Sequence, residues 1–318
     1  MAIITANPPQ TQIRAVGTGR RSVASKVLPR HGKVDAMPTS ESPYVVLGAT
    51  GNQGGVVLHA LRDAGKPVRG VVRFLDSDRS LELADRSIPL AVADIATGNG
   101  LADAFAGAAG VFALTTPFES GADAEVGQGE NIIAAAEAAS VPYLVFSSVA
   151  DADHNTGISH FDSKYEVEKK LAASSIPHTI VGPTYFYDNL LGSLDALKAG
   201  VMPLALPAEK ALQQLSRRDF GRFVAMLFDA PADFTGRRID LASDEITPNA
   251  MAAALTAATG QEVHAESYDP ERISSPDMQA MFTFLATKGY SVDVAALHAA
   301  YPQIEWESFA DWAQHALG

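Results

Sequence analysis

Gly48-Ala49-Thr50-Gly51-Asn52-Gln53-Gly54-Gly55 follows the short apolar run Tyr44-Val45-Val46-Leu47. After it comes a stretch with a helical pattern, residues 54–64, and then a β-branched run at residues 68–72. Three glycines between a strand and a helix each have a separate job. Gly48 permits the tight turn out of the strand, Gly51 lets the backbone approach a diphosphate, and Gly54 lets the helix sit close to the sheet. The diphosphate then faces the unpaired N–H groups of a helix that starts near Asn52. A dinucleotide is therefore expected to lie against Gly48, Thr50, Gly51, Asn52, Gln53 and Gly54.

Working outward, the pattern keeps alternating. Further apolar runs of strand length occur at residues 90–93, 111–114, 143–146, 178–181 and 239–241. Between two of them, residues 122–139 form an alanine-rich helical stretch with Ile132, Ile133 and Ala136 on one face. Continuous apolar strands separated by helices imply a parallel sheet covered on both faces. The expected fold is α/β: a doubly wound parallel Rossmann sheet with a smaller, mainly helical C-terminal lobe. Residues 43–189, completed by 215–246, are assigned to the dinucleotide-binding domain, and residues 190–214 and 247–318 to the lobe. The aromatics of the later chain, among them Tyr268, Phe282, Tyr290, Phe309 and Trp312, read either as the core of that lobe or as the wall of a substrate cleft.

The residue that ends the second strand decides the cofactor. An acid there would hold a ribose 2′-hydroxyl; this chain has Arg73, whose planar fork suits a 2′-phosphate. NADP(H) is the expected cofactor. Asp94, at the end of the third strand, is a candidate for the adenine amino group or a turn residue.

The chain has 318 residues, enough to bury a large core. It has no cysteine, which excludes disulfides, thiolate catalysis and zinc–cysteine sites, and no metal site is expected. A formal net charge of −13 argues against nucleic-acid binding through a general basic surface. No apolar run approaches the roughly 18 residues that span a bilayer, so the sequence reads as a soluble, cytoplasmic protein without a membrane partner. Residues 1–42 differ: six basic side chains stand against two acids, with four prolines and little periodicity. They read as a disordered basic extension outside the fold. Three origins fit it: translation from upstream of a start at Met37, a transit peptide that would direct organellar import, or a functional basic arm.

The glycine turn, Val71-Val72-Arg73, the block SSVADADHNTGISHFDSKYEVEKKL (147–171) and the block PTYFYDNLL (183–191) together resemble the NmrA-like family of atypical short-chain dehydrogenases. The resemblance covers roughly residues 43–318 and is strongest up to Leu191. It implies a Rossmann domain with a smaller lobe, a cleft between them and bound NADP(H). Two activities follow from it as expectations. One is an NADPH-dependent reductase of a small carbonyl, quinone or enone. The other is a non-catalytic NADP(H) redox sensor that regulates a protein partner.

Reductases of this superfamily use a Tyr and a Lys four residues apart on one helix face. Tyr165 and Lys169 have that spacing. The family register selects another pair: Ser163-Lys164, with Glu168 one turn on, makes Lys164 the motif lysine, in contact with cofactor or substrate, and puts His160 where the tyrosine would be, as proton donor. Tyr165 and Lys169 remain the alternative. Residues after the other strands should border the cofactor, because open α/β sheets bind ligands beyond the carboxyl ends of their strands. These are Thr115, Thr116 and Pro117; Ser147 or Ser148; and Pro183, Tyr185 and Phe186, with Phe186 or Tyr187 read as an aromatic wall or as core.

Overall fold

The computed structural model describes residues 42–318; the basic extension read at 1–42 lies outside the described residues apart from Ser42. The described chain forms twelve strands: β1 (Tyr44–Val46), β2 (Val68–Val72), β3 (Leu90–Val92), β4 (Gly110–Leu114), β5 (Leu144–Ser147), β6 (His178–Pro183), β7 (Tyr185–Phe186), β8 (Val201–Leu204), β9 (Leu212–Leu215), β10 (Arg238–Leu241), β11 (Asp244–Ile246) and β12 (His264–Ser267). Seven of them make one parallel sheet in the order β10-β6-β5-β4-β1-β2-β3. Tyr44 of β1 aligns with Val68 on one side and Gly110 on the other. The chain thus winds outward from β1 to β3, then returns across β1 to begin β4. The crevice at the carboxyl end of this reversal is where such sheets bind ligands.

The doubly wound architecture follows from side-chain alternation along these strands. Val46, Phe112, Val145 and Val181 face the helices Asn52–Asp63 and Arg217–Leu227. Their neighbours Val45, Val111, Leu144 and Ile180 face the helices Ala122–Ala138 and Ser159–Ala172. Both faces are covered, so the central strands are apolar over most of their length, while β2 carries Arg69 and the edge strand β10 carries Arg238 and Asp240. Each apolar side chain of this kind stabilises the fold by roughly 1.5–3 kcal/mol when fully buried.

Most of the later elements form a lobe around two further apolar clusters, the second shared with Phe161 of the helix Ser159–Ala172. Tyr187, Met251, Leu255, Phe309 and Trp312 centre one; Phe161, Tyr185, Leu206, Met281 and Phe282 centre the other. Besides helices the lobe holds a β11-β9-β7 sheet and a β12-β8 pair, so β7 and β11, which lie within the bounds expected for the dinucleotide-binding domain, pair outside the main sheet. Sequence periodicity did not reveal these strands: they are two to four residues long, and all four residues of β9 are buried. Among the described residues no helix is long and apolar enough to cross a membrane.

Candidate functional site

At the end of β1, Gly48 takes a φ of +62°, in the left-handed region that a Cβ disfavours. A Cβ on Gly54 would lie 2.2 Å from the Gly48 carbonyl oxygen and 2.4 Å from that of Leu47, so the helix can meet the strand this closely only with glycine there. Gly51 is the helix N-cap, and among the described residues no side chain caps the first turn. Its N–H groups are left for an anion, in the form a dinucleotide diphosphate requires. Two side chains brace the turn. The Gln53 carboxamide oxygen accepts from the Ser147 hydroxyl at 2.6 Å, tying the turn to the end of β5. Arg79 donates to the Thr50 carbonyl at 3.1 Å.

Arg73 follows β2 and is mostly exposed; its guanidinium meets both oxygens of Glu119, at 2.8 and 3.0 Å. Asp94 is committed to its own turn, where its two oxygens accept from the Ala96 N–H and the Thr97 hydroxyl.

Beyond β4 the buried Thr115 leads to Thr116, whose peptide is clamped by Gln128: the Gln128 oxygen accepts from Thr116 N–H at 2.9 Å, and its amide donates to the Thr116 carbonyl at 3.0 Å. Pro117 is buried, Phe118 exposed. Glu125, wholly buried, accepts from the Thr115 and Ser163 hydroxyls and from the Lys164 ammonium at 2.7 Å. Lys164 also donates to the Thr115 carbonyl at 3.1 Å. Two of its three N–H donors are thereby fixed beside the carboxyl end of β4, and among the described residues the third has no partner.

The alternative pair lies elsewhere on the same helix. Lys169 is half exposed, bonded to Glu166, with its ammonium 5.2 Å from the centre of the Tyr165 ring. His160, in the first turn of that helix, is nearly buried between Phe118 and Phe161. Its Nδ1 lies 2.6 Å from Asp277, whose other oxygen accepts the His160 backbone N–H at 3.1 Å. Burial pushes the Asp277 carboxyl up, but the bonds and charge of His160 outweigh it and hold the group below the usual carboxylate range. His160 Nε2 makes no hydrogen bond among the described residues.

Ser147 points to the glycine turn, whereas Ser148 turns to Glu168 beneath the sheet edge. Pro183 is buried at the end of β6. Tyr185 is built into the lobe: its ring packs on Phe282, and it lines a cavity of about 470 Å³ with Tyr268, Met278 and Asn189. Phe186 is half-buried, edge-on to Phe220. Tyr187 is core, between Phe309 and Trp312. Arg79, Glu119, Glu125, Gln128 and Asp277 were not singled out from the sequence. Only Arg79 had a local signal, as a second guanidinium six residues after Arg73.

A seven-stranded doubly wound sheet with a glycine turn after its first strand defines a Rossmann-type α/β protein. The sequence profile of the NmrA-like family matches residues 41–313, and the chain belongs to that family. An NmrA-like family domain-containing oxidoreductase, FrzB of a Cladobotryum species, is 27% identical over 282 residues, covering 77% of this chain and 84% of that one. Quinone oxidoreductase 2 of Escherichia coli K12 is 27% identical over 224 residues, covering 69% and 75%. Among solved structures, the NADPH complex of an Escherichia coli quinone oxidoreductase superposes with a TM-score of 0.73 at 24% identity, covering 86% of this chain and 100% of that one. The negative transcriptional regulator NmrA, in complex with NAD, superposes with a TM-score of 0.73 at 17% identity, covering 87% and 96%.

Proposed function

We propose that this chain binds NADP(H) along the carboxyl edge of its sheet and reduces a small carbonyl, quinone or enone. The observation that carries the reading is His160. It sits one helical turn from Lys164, tied through Nδ1 to Asp277 and with Nε2 left for a substrate. The glycine turn would hold the diphosphate, Arg73 the 2′-phosphate, and Lys164 the ribose next to the nicotinamide through its remaining N–H. Bound NADPH supplies the hydride. His160, as the imidazolium, donates the proton from Nε2 to the substrate oxygen or carbon, and the Asp277 carboxylate stabilises that cation and fixes the ring. The named relatives support the class: a quinone oxidoreductase and an NmrA-like family domain-containing oxidoreductase are among them.

The test is NADPH oxidation by the purified protein against a panel of quinones, aldehydes and enones. Turnover of at least one class, faster with NADPH than with NADH, is expected. No turnover on the panel, with NADPH still bound, would favour the second reading, a non-catalytic NADP(H) sensor acting through a protein partner. One feature favours that reading: Phe74, Leu75 and Leu81, between β2 and β3, and Val92 of the edge strand β3 are all exposed apolar side chains, and exposed apolar side chains that group together mark protein-binding surfaces.

A further inference from the structure

We propose that Glu119 is a built-in competitor for the 2′-phosphate of NADP(H), so that this chain's preference between NADP(H) and NAD(H) is set by Glu119 as well as by Arg73. The inference rests on the proposed reading that the 2′-phosphate is held by Arg73. Its first support is topological. β1 lies between β2 and β4 in the sheet. Arg73 follows β2, and Glu119 lies in the segment that follows β4. Their ion pair therefore crosses in front of the glycine turn that follows β1, over the path of a dinucleotide.

The second support is geometric. The two Arg73 amino nitrogens meet the two Glu119 oxygens at 2.8 and 3.0 Å. This is the paired arrangement that a guanidinium makes with a phosphate. A fork so engaged holds one anion at a time, so a 2′-phosphate must displace Glu119. A 2′-hydroxyl carries no charge and leaves the pair intact.

The third support is the anchoring of the segment. Its base is fixed where Gln128 clamps the Thr116 peptide from both sides, and the Gly121 N–H returns to the Pro117 carbonyl at 2.7 Å. Glu119 sits at the tip, with more than half of its side chain exposed. It is close enough to compete and free to swing into water when displaced.

Exposed ion pairs are worth roughly 0.2–1 kcal/mol. Removing the competitor should therefore tighten NADPH by about 1.5–5-fold at low salt. The experiment is a titration of NADPH and of NADH by nucleotide fluorescence, at low ionic strength, with wild type, Glu119→Gln, Arg73→Ala and the double variant. Both side chains are on the surface, so the variants should fold as the wild type does. Expected are a lower NADPH Kd for Glu119→Gln, an unchanged NADH Kd, and no NADPH gain from Glu119→Gln when Arg73 is already alanine. If Arg73→Ala weakens NADPH but Glu119→Gln leaves it unchanged, the competitor role is wrong and the Arg73 reading stands. Equal tightening of NADPH in the Arg73→Ala background would mean that Glu119 acts only through its general negative field, which also overturns the proposal. If Arg73→Ala leaves NADPH binding unchanged, the Arg73 reading itself fails and takes the competitor with it.

Discussion

At the residue scale, the Lys164–Glu125 pair is both a structural and a chemical device. Glu125 has no exposure, so an ionised carboxylate there depends on its ammonium and hydroxyl partners. Removing one partner of a buried pair costs roughly 3–5 kcal/mol, and Lys164→Met should lower the melting temperature as well as turnover. The double variant Lys164→Met/Glu125→Gln separates the two effects. Glutamine keeps the hydroxyl partners without a charge, so stability should largely return, while turnover stays at least about 10²-fold down if the remaining Lys164 N–H serves the cofactor. Recovery of turnover along with stability would make Lys164 a purely structural residue. Lys169→Ala should change neither, because Lys169 pairs at the surface with Glu166. His160→Phe should slow reduction by roughly 10²–10⁴-fold. Asp277→Asn should lower kcat more than it raises KM, because Asp277 acts through His160 and not on the substrate; a pure KM effect would count against that positioning role.

At the element scale, the helix Asn52–Asp63 shows how close packing makes the site. A methyl on Gly54 meets two backbone oxygens at 2.2 and 2.4 Å, which cannot swing away as a side-chain end can. Gly54→Ala must lift the helix off β1, at a cost of roughly 1–3 kcal/mol, and should abolish nucleotide binding. A methyl on Gly55 lies 3.4 Å from the Ala49 oxygen, an ordinary contact, and alanine favours the helix by up to about 1 kcal/mol. Gly55→Ala should therefore melt at or above the wild-type temperature, and two glycine variants of equal melting temperature would refute this packing argument. This helix and the seven parallel strands were legible in the sequence because strand, turn and helix signals are contiguous. The run at 68–72 is β2 itself, and the other boundaries differ by one or two residues. Lys164 and His160 were candidates from the family register. Their partners were not: Asp277 is 117 residues from His160, and Glu125 is 39 from Lys164. Such partners belong to other elements and meet only in the fold. The lobe strands escaped because β7 has two residues and β9 shows no polar face to give a period of two.

At the scale of the whole molecule, the sheet and the lobe are stitched together beyond the carboxyl ends of the strands. Asp277 of the lobe reaches His160. Asp151, just past β5 and almost wholly buried, accepts from the Ser291 N–H at 2.9 Å and the Ser291 hydroxyl at 2.5 Å. The Asp151 N–H in turn reaches Asp240 at 3.3 Å. Behind this junction Arg238 serves several acids at once. It bonds Glu168 at 3.0 Å and Asp240, and stands 3.6 Å from Asp153, while His154 adds a histidine 3.2 Å from Asp151. One guanidinium does not compensate every carboxylate here. Burial raises the Asp240 pKa from 3.8 to about 6, although Arg238 pulls the other way and Asp151 adds repulsion. A carboxyl whose pKa is raised in the fold favours the folded state when protonated. Its contribution is fully present below about pH 3.8 and is lost as the pH rises through about 6. Above that pH the ionised Asp240 is a burden that a neutral isostere would lift. Asp240→Asn keeps an oxygen for the Asp151 N–H and leaves Arg238 with Glu168 and Asp153. It should raise stability near pH 7.5 by at most about 3 kcal/mol. The gain should shrink between pH 6 and 4, where the wild-type carboxyl takes up its proton. Thermal melts of both proteins across pH 4–8 check this, and a melting-temperature difference that stayed constant over that window would show that Asp240 ionisation does not burden the junction.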